Sequence, residues 1–233
     1  MRVRAGTSGY SYKEWKGNFY PADLAAADML RFYAKHFSTV EINNTFYRMP
    51  SEKILLGWSE QVPDGFAFIL KVPRRITHIK KLKDVEDDVA YLVKNVSALG
   101  AKRGPLLFQL PPFFRKDLTI LGNFLGLLSP DGQAAFEFRH QSWFDDEVYA
   151  VLRAHNASLC LADADNELDI PFVATANWGY LRLRRPEYND EDLRDWAKRI
   201  ADQAWKEAFV FFKHEEAGKG PQFASRFLEL VGA

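Results

Sequence analysis

Eight short apolar runs, most of them followed by a turn region and then a helical pattern, limit what this chain can fold into. The runs are "RVRAGTSG", "STVEINNTFY", "FAFILKVP", "GPLLFQLP", "AAFEFRH", "SLCLADA", "GYLRLRR" and "AFVFFKHE". Between them, apolar residues recur at the three-to-four spacing of one helix face. This pattern covers Asp23–Phe37, Ser51–Val62, Asp87–Leu99 and Asn189–Trp205. Ser51 and Asn189, each followed by acidic residues, read as N-terminal caps. Pro221 opens a last helix that runs to Val231. Strand and helix alternating through eight repeats predict an α/β fold, a closed parallel (β/α)8 TIM barrel. The link Asp165–Trp178, between strands six and seven, lacks a helical period and predicts an irregular connection. No Gly/Ser-rich linker or shift in composition divides residues 1–233, so a single domain is expected. An open doubly wound sheet is the alternative. No "GxGxxG" follows a strand, however, and eight strands suit closure.

Composition excludes several classes of function. With 31 basic and 31 acidic residues the formal net charge is zero, so the molecule lacks the long-range field of a general nucleic-acid or membrane binder. The one cysteine, Cys160, allows neither an internal disulfide nor a two-cysteine zinc motif. "MRVRAGTSGY" has no apolar run of the signal-peptide kind. No segment approaches the roughly 20 apolar residues of a membrane span. A reduced, cytoplasmic protein is expected, and oligomeric state is not legible.

Alternation along each strand assigns the lumen. With Val40 and Ile42 facing the helices, Glu41 and Asn43 face inward. By the same rule Lys71, Gln109, Glu137 and Arg139 point inward, as do Tyr180, Arg182 and Arg184. Gly6 and Ser8 come from strand one, and strand six ends on Asp163. Charge inside a barrel persists only when it is paired and hydrogen-bonded, since desolvating each ion costs several kcal/mol. A structural salt-bridge network is one explanation. The position of these residues near strand C-termini, where barrel enzymes build their sites, favours function. Aromatics gather in the loops beyond: Tyr10, Tyr12, Trp15, Phe19 and Tyr20 after strand one, Phe46 and Tyr47 after strand two, Phe113 and Phe114 after strand four, and Trp143 and Phe144 after strand five. As a set they suit stacking against sugar rings or bases.

The ordered segments "GTSGYSYKEWKGNFYP", "TVEINNTFYRMPS", "FILKVPRRITH", "GPLLFQLPPFF", "FEFRHQSW" and "YLRLRR" resemble the YecE-like family, a domain of unknown function. The resemblance spans nearly the whole chain and implies a TIM barrel, with no established reaction to carry over. The barrel is loosely similar to sugar isomerases and apurinic-site endonucleases, which is analogy at the level of fold. Lys213 and His214 depart from the asparagine pair that the resemblance implies at the end of strand eight.

For chemistry, Glu41, Glu137 and Asp163 are the candidate acids or bases. Ser8, Tyr10, Trp15, Asn43, Lys71, His78, Gln109, Arg139, His140, Trp143 and Arg182 are the candidate ligand-binding residues. Lumen cations outnumber carboxylates and repel a divalent ion, so no metal and no cofactor are expected. Glu41 and Glu137 lie on opposite sides of the barrel and face arginines, a poor arrangement for a glycosidase pair. Excess cations with an aromatic rim select an anionic small molecule, a sugar phosphate or a nucleotide, and Arg139, Arg182 and Lys71 serve as clamps. The expectation is an enzyme of hydrolase, lyase or isomerase type. A nucleic-acid-binding or endonuclease-like barrel is the alternative. The basic segment Lys71–Lys83 would guide phosphates in either case, or be a solvated loop balanced by the acidic "DVEDD" that follows.

Overall fold

The computed structural model of the protein describes residues 1–129, 132–164 and 168–232. Eight parallel strands form one sheet: β1 (Arg2–Thr7), β2 (Thr39–Ile42), β3 (Ala67–Lys71), β4 (Arg103–Gln109), β5 (Ala134–Glu137), β6 (Ser158–Asp163), β7 (Trp178–Leu183) and β8 (Glu207–Phe212). The order β1-β8-β7-β6-β5-β4-β3-β2 brings the two ends of the sheet together. The helices between strands are α1 (Met29–Tyr33), α2 (Glu52–Ser59), α3 (Glu86–Val96), α4 (Leu118–Leu125), α5 (Asp146–Ala154) and α6 (Asp190–Ala201), and α7 (Lys219–Val231) follows β8. The expected TIM barrel is therefore the observed architecture. The connection between β6 and β7 is irregular as well: residues 168–177 hold no helix, while Asp165, Asn166 and Glu167 lie outside the described residues.

Local sequence explains several element ends. Asn189 accepts from the Asp192 amide, and the Asp192 carboxylate accepts from the Asn189 amide, a reciprocal capping box that starts α6. Ser51 precedes α2 without a side-chain capping bond. The last helix opens at Lys219, so Pro221 sits in its first turn, where a missing N–H leaves no helical bond unmade.

Closure is completed by a side chain. Between β1 and β2 the strand pairing reduces to a bridge from Ser8 to Glu41, with the Gly9 amide donating to the Glu41 carbonyl at 2.8 Å. Below that bridge the Tyr33 hydroxyl, reaching in from α1, accepts from the Thr7 amide at 2.9 Å and donates to the Thr39 carbonyl at 3.0 Å. Backbone groups of Thr7 and Thr39 at the seam are thus satisfied where direct strand pairing is interrupted. Gly6 makes room for this hydroxyl, because a Cβ there would stand 2.3 Å from the Thr39 carbonyl oxygen and 2.8 Å from the Tyr33 hydroxyl.

Two apolar cores follow from strand alternation. The larger lies between sheet and helices and contains Val40, Ile42, Leu70, Phe108, Phe136, Leu159, Leu161, Leu181 and Leu183. The smaller fills the lower lumen with Ala67, Ile69, Leu107, Ala135, Cys160, Trp178, Tyr180, Phe209 and Phe211. The inward-facing polar set expected from the sequence is therefore confined to the lumen's ends. At the N-terminal end, Arg4 donates to Glu207 at 2.6 Å and to the Gly65 carbonyl at 2.7 Å. The larger polar layer lies at the C-terminal end.

Candidate functional site

Ser8 at the end of β1, Glu41 from β2, Lys71 from β3, Gln109 from β4, Glu137 from β5, and Arg182 and Arg184 from and just beyond β7 meet in the upper lumen. Arg182 is central and fully buried. It donates to Glu41 at 2.8 Å through one terminal nitrogen and to Glu137 at 2.5 Å through the other. Glu137 also accepts from Arg184 at 2.8 Å and from the Gln109 amide at 2.9 Å. Glu41 accepts from Ser8 at 2.6 Å, Tyr180 at 2.6 Å and Asn43 at 3.0 Å. Burial alone would raise both carboxyl pKa values. Against it, Arg182 and the bonds from Ser8, Tyr180 and Asn43 hold Glu41 below the ordinary range, and Arg182 with Arg184 holds Glu137 further down. Both are therefore fixed anions, suited to orienting the arginines and poorly suited to donating a proton.

Lys71 has a different environment. Its Nζ donates to Gln109 Oε1 at 2.8 Å and lies 4.2 Å from the centre of the Phe46 ring. Desolvation, reinforced by Arg182, lowers its pKa to about 8 against the opposing pull of Glu137 and Glu41. His78 packs edge-on against the same Phe46 ring, 4.8 Å between centres. Burial and the nearby Lys71, Arg139 and Arg74 lower its pKa to about 4, so its imidazole is neutral at physiological pH.

Above β5–β8 opens a cavity of about 680 Å³ lined by Arg139, Arg184, Lys213, His214, Glu215 and Lys219, among others. Arg184 belongs to both places: it binds Glu137 below and forms part of the cavity wall above. His214 Nε2 lies 2.6 Å from the Arg185 carbonyl, which can only accept, so the proton sits on Nε2. The buried Nε of Arg184 and Nδ1 of His214 have no hydrogen-bond partner among the described residues.

Several sequence expectations need correction. Asp163 does not face the lumen. It shares the outward parity of Leu159 and Leu161, and it accepts from Arg185 at 2.9 Å, Tyr188 at 3.0 Å and the Trp196 indole at 3.1 Å, tying β6 to α6. Arg139 does not join the lumen network, because β5 pairing stops at Glu137 and the chain then leaves the sheet. Arg139 is exposed and lines the cavity. Trp15 and Trp143 cannot stack on a ligand. Both are fully buried, with indole N–H groups bonded to the carbonyls of Glu215 at 3.0 Å and Phe114 at 2.6 Å. Trp143 also stacks on Phe138 at 4.6 Å. His140 caps a short turn, its Nδ1 accepting from the Ser142 amide at 3.1 Å. Tyr10 lines a separate, smaller cavity of about 190 Å³ beside Asn43 and Trp58. Ser8, Asn43, Lys71, Gln109 and Arg182 converge as expected. Lys213, His214 and Lys219 line the cavity without a sequence motif that marks them. The departure of Lys213 and His214 from the expected asparagine pair was the available signal.

The basic segment after β3 is partly neutralised. Arg75 and Lys80 both reach Asp88, at 2.7 and 2.8 Å. Lys81 lies over the exposed Phe113 ring at 5.1 Å. Among the described residues, no three His, Cys, Asp or Glu side chains cluster to hold a metal ion, and no helix is long and apolar enough to cross a membrane.

Known proteins share both sequence and architecture with this chain. It is 35% identical to the UPF0759 protein YecE of Escherichia coli over 116 residues, 49% of this chain and 43% of that protein. The match therefore spans less than half of that relative. The UPF0759 protein YunF of Bacillus subtilis is 25% identical, with 92% of this chain and 90% of that protein covered. The crystal structure of a DUF72 family protein from Thermotoga maritima superposes with a TM-score of 0.89 at 26% identity, covering all of both chains. Another, from Enterococcus faecalis, has a TM-score of 0.83 at 19% identity, covering 99% of this chain and 96% of the other, and supports the fold alone. The family described as "Protein of unknown function DUF72" matches residues 4–233, and the chain belongs to it.

Proposed function

We propose that this barrel is an enzyme acting on an anionic small molecule, a phosphorylated or sugar-containing compound bound in the cavity above β5–β8. The observation that carries this reading is the cavity wall. Arg139, Arg184, Lys213 and Lys219, the last paired with Glu187, outnumber Glu215 and Glu216 around a volume of about 680 Å³, within the range of small-molecule sites. Arg184 brings a guanidinium to this wall while one of its terminal nitrogens holds Glu137. Guanidinium groups bind phosphate through paired, charge-assisted hydrogen bonds. Glu137 holds Arg184 in place, so the clamp is pre-organised. The carboxylates position cations, and the reacting group is sought at Lys71, which is not in the cavity wall but is linked to its Arg184 through Gln109 and Glu137.

Nucleic-acid binding is the second reading, favoured by exposed rings at the mouth, Phe113 at 67% and Tyr47 at 76% exposure. Single strands stack on such platforms. Isothermal titration calorimetry with ribose 5-phosphate, ribose and single-stranded oligonucleotides distinguishes the two. The enzyme reading expects saturable one-to-one binding of the phosphate compound and much weaker binding of ribose. Affinity that grows with strand length and falls steeply with salt would replace it with the second.

A further inference from the structure

The geometry points to Lys71 as an amine nucleophile that condenses with a carbonyl group of the bound compound to form an imine. This inference rests on the small-molecule reading above, with Lys71 joined to the cavity wall through Gln109, Glu137 and Arg184.

The argument starts from a count of partners. The upper lumen holds three cationic side chains, Lys71, Arg182 and Arg184, and two carboxylates, Glu41 and Glu137. Both carboxylates are taken by the arginines, at 2.5–2.8 Å. Lys71 is left with a neutral amide, Gln109 Oε1 at 2.8 Å. The orientation of that amide follows from its other bond. Gln109 Nε2 donates to Glu137, an acceptor only, so Oε1 must face Lys71. Lys71 therefore gives one N–H to Gln109, and its remaining positions, including the lone pair of the neutral amine, are free of that bond. Phe46 covers one side of the nitrogen at 4.2 Å and limits its hydration. An amine desolvated and placed beside other cations is the arrangement that activates lysine as a nucleophile. Its pKa, lowered to about 8 by burial and Arg182, agrees with that geometry.

The step balances without an added oxidant or reductant. The neutral Nζ attacks the carbonyl carbon. The C–N bond forms as the C=O π bond breaks, and a proton passes from nitrogen to oxygen to give the carbinolamine. Departure of that oxygen as water, carrying the second nitrogen proton, leaves the C=N bond. An anionic substituent on the same molecule would lie on Arg184 and Arg139.

Reductive trapping tests this on the full chain. The protein is incubated with dihydroxyacetone phosphate or dihydroxyacetone and sodium cyanoborohydride near neutral pH, with and without inorganic phosphate. Adducts are then located by peptide mass spectrometry. Near pH 7.5 an amine titrating at about 8 is neutral on the order of a hundred-fold more often than an ordinary lysine. Modification of Lys71 at least about ten-fold faster than of exposed lysines such as Lys13 and Lys53 is expected, preferentially with the phosphate compound and suppressed by inorganic phosphate. Lys71→Arg should lose the adduct while melting cooperatively. The adduct position in the unaltered protein decides the matter even if that variant does not fold. Labelling spread over surface lysines, with phosphate binding intact by calorimetry, overturns the nucleophile and leaves the anion site standing. Labelling concentrated on Lys71 but indifferent to phosphate supports the nucleophile and removes the anion reading.

Discussion

Arg182→Met tests whether the lumen network is an electrostatic unit. Arg182 touches both carboxylates, but the two are not left equally exposed by its loss. Glu137 retains Arg184 at 2.8 Å and Gln109 at 2.9 Å. Glu41 retains only neutral donors, Ser8, Tyr180 and Asn43. Removing one partner of a buried pair typically costs about 3–5 kcal/mol, because a charge remains buried without a counter-ion. In a domain of this size each kcal/mol moves Tm by roughly 2–4 °C, so a fall of about 6–20 °C is expected at neutral pH. The direction of the pH dependence is more telling than its size. In the unaltered protein both carboxyl pKa values lie below their unfolded values. Their contribution is complete above the unfolded carboxylate pKa and is lost as pH falls through the folded values. In the variant, burial dominates Glu41 and raises its pKa above the unfolded value. The variant should therefore gain stability as pH is lowered from neutral towards about 5, where the unaltered protein gains none. Calorimetric melts across that interval, with Glu41→Gln added in the variant background to restore part of the loss, provide the measurement. A Tm within about 2 °C of the original at every pH, with no reversal of slope, would refute the argument.

Three further outcomes are expected. Lys71→Met should raise Tm at pH 7, by at most about 3 kcal/mol of stability, since a pKa lowered from 10.5 to about 8 marks a cation that destabilises the fold. This advantage should shrink as pH rises from 8 to 10.5, where the unfolded chain releases the proton that folded Lys71 has already lost; melts at pH 7 and 10.5 check it. Arg139→Ala should leave stability within about 0.5 kcal/mol, because the side chain is exposed, yet weaken ribose 5-phosphate binding measured by calorimetry. Finally, the His78 imidazole should titrate near 4 in the free protein and at higher pH with saturating phosphate, because an anion beside Lys71 and Arg139 offsets their repulsion of the ring's positive charge. NMR titration of the imidazole resonances reads both values.

The barrel was legible because strand alternation and helix periodicity are local signals, repeated eight times. The central part of the site was legible for a related reason. On β2, β5 and β7 one face is strongly apolar, so Glu41, Glu137 and Arg182 can only face the lumen. The same rule explains the error on β6. In "SLCLAD" both faces are apolar or small, so alternation does not say which face its acidic terminus takes. Parity with Leu159 and Leu161 places Asp163 outward, among Arg185, Tyr188 and Trp196. Arg139 keeps the inward parity of Glu137, but alternation holds only while the strand is paired, and β5 pairing ends at Glu137.

Loop aromatics present a different problem, since composition does not report burial. Trp15 and Trp143 each bury a ring and satisfy the indole N–H on a backbone carbonyl, whereas Phe113 and Tyr47 remain exposed. Nothing in the local sequence separates these outcomes, which depend on how loops from different strands pack together. Lys71 is the most informative case. Its inward direction is legible on β3, and its charge groups it with the arginines as a clamp. Its difference from them comes from non-local partner assignment: the arginines of β7 occupy the carboxylates of β2 and β5, and the lysine of β3 is left with an amide of β4. Charge type alone would make these three cations equivalent. Their partners divide them into two held by carboxylates and one held by a neutral amide.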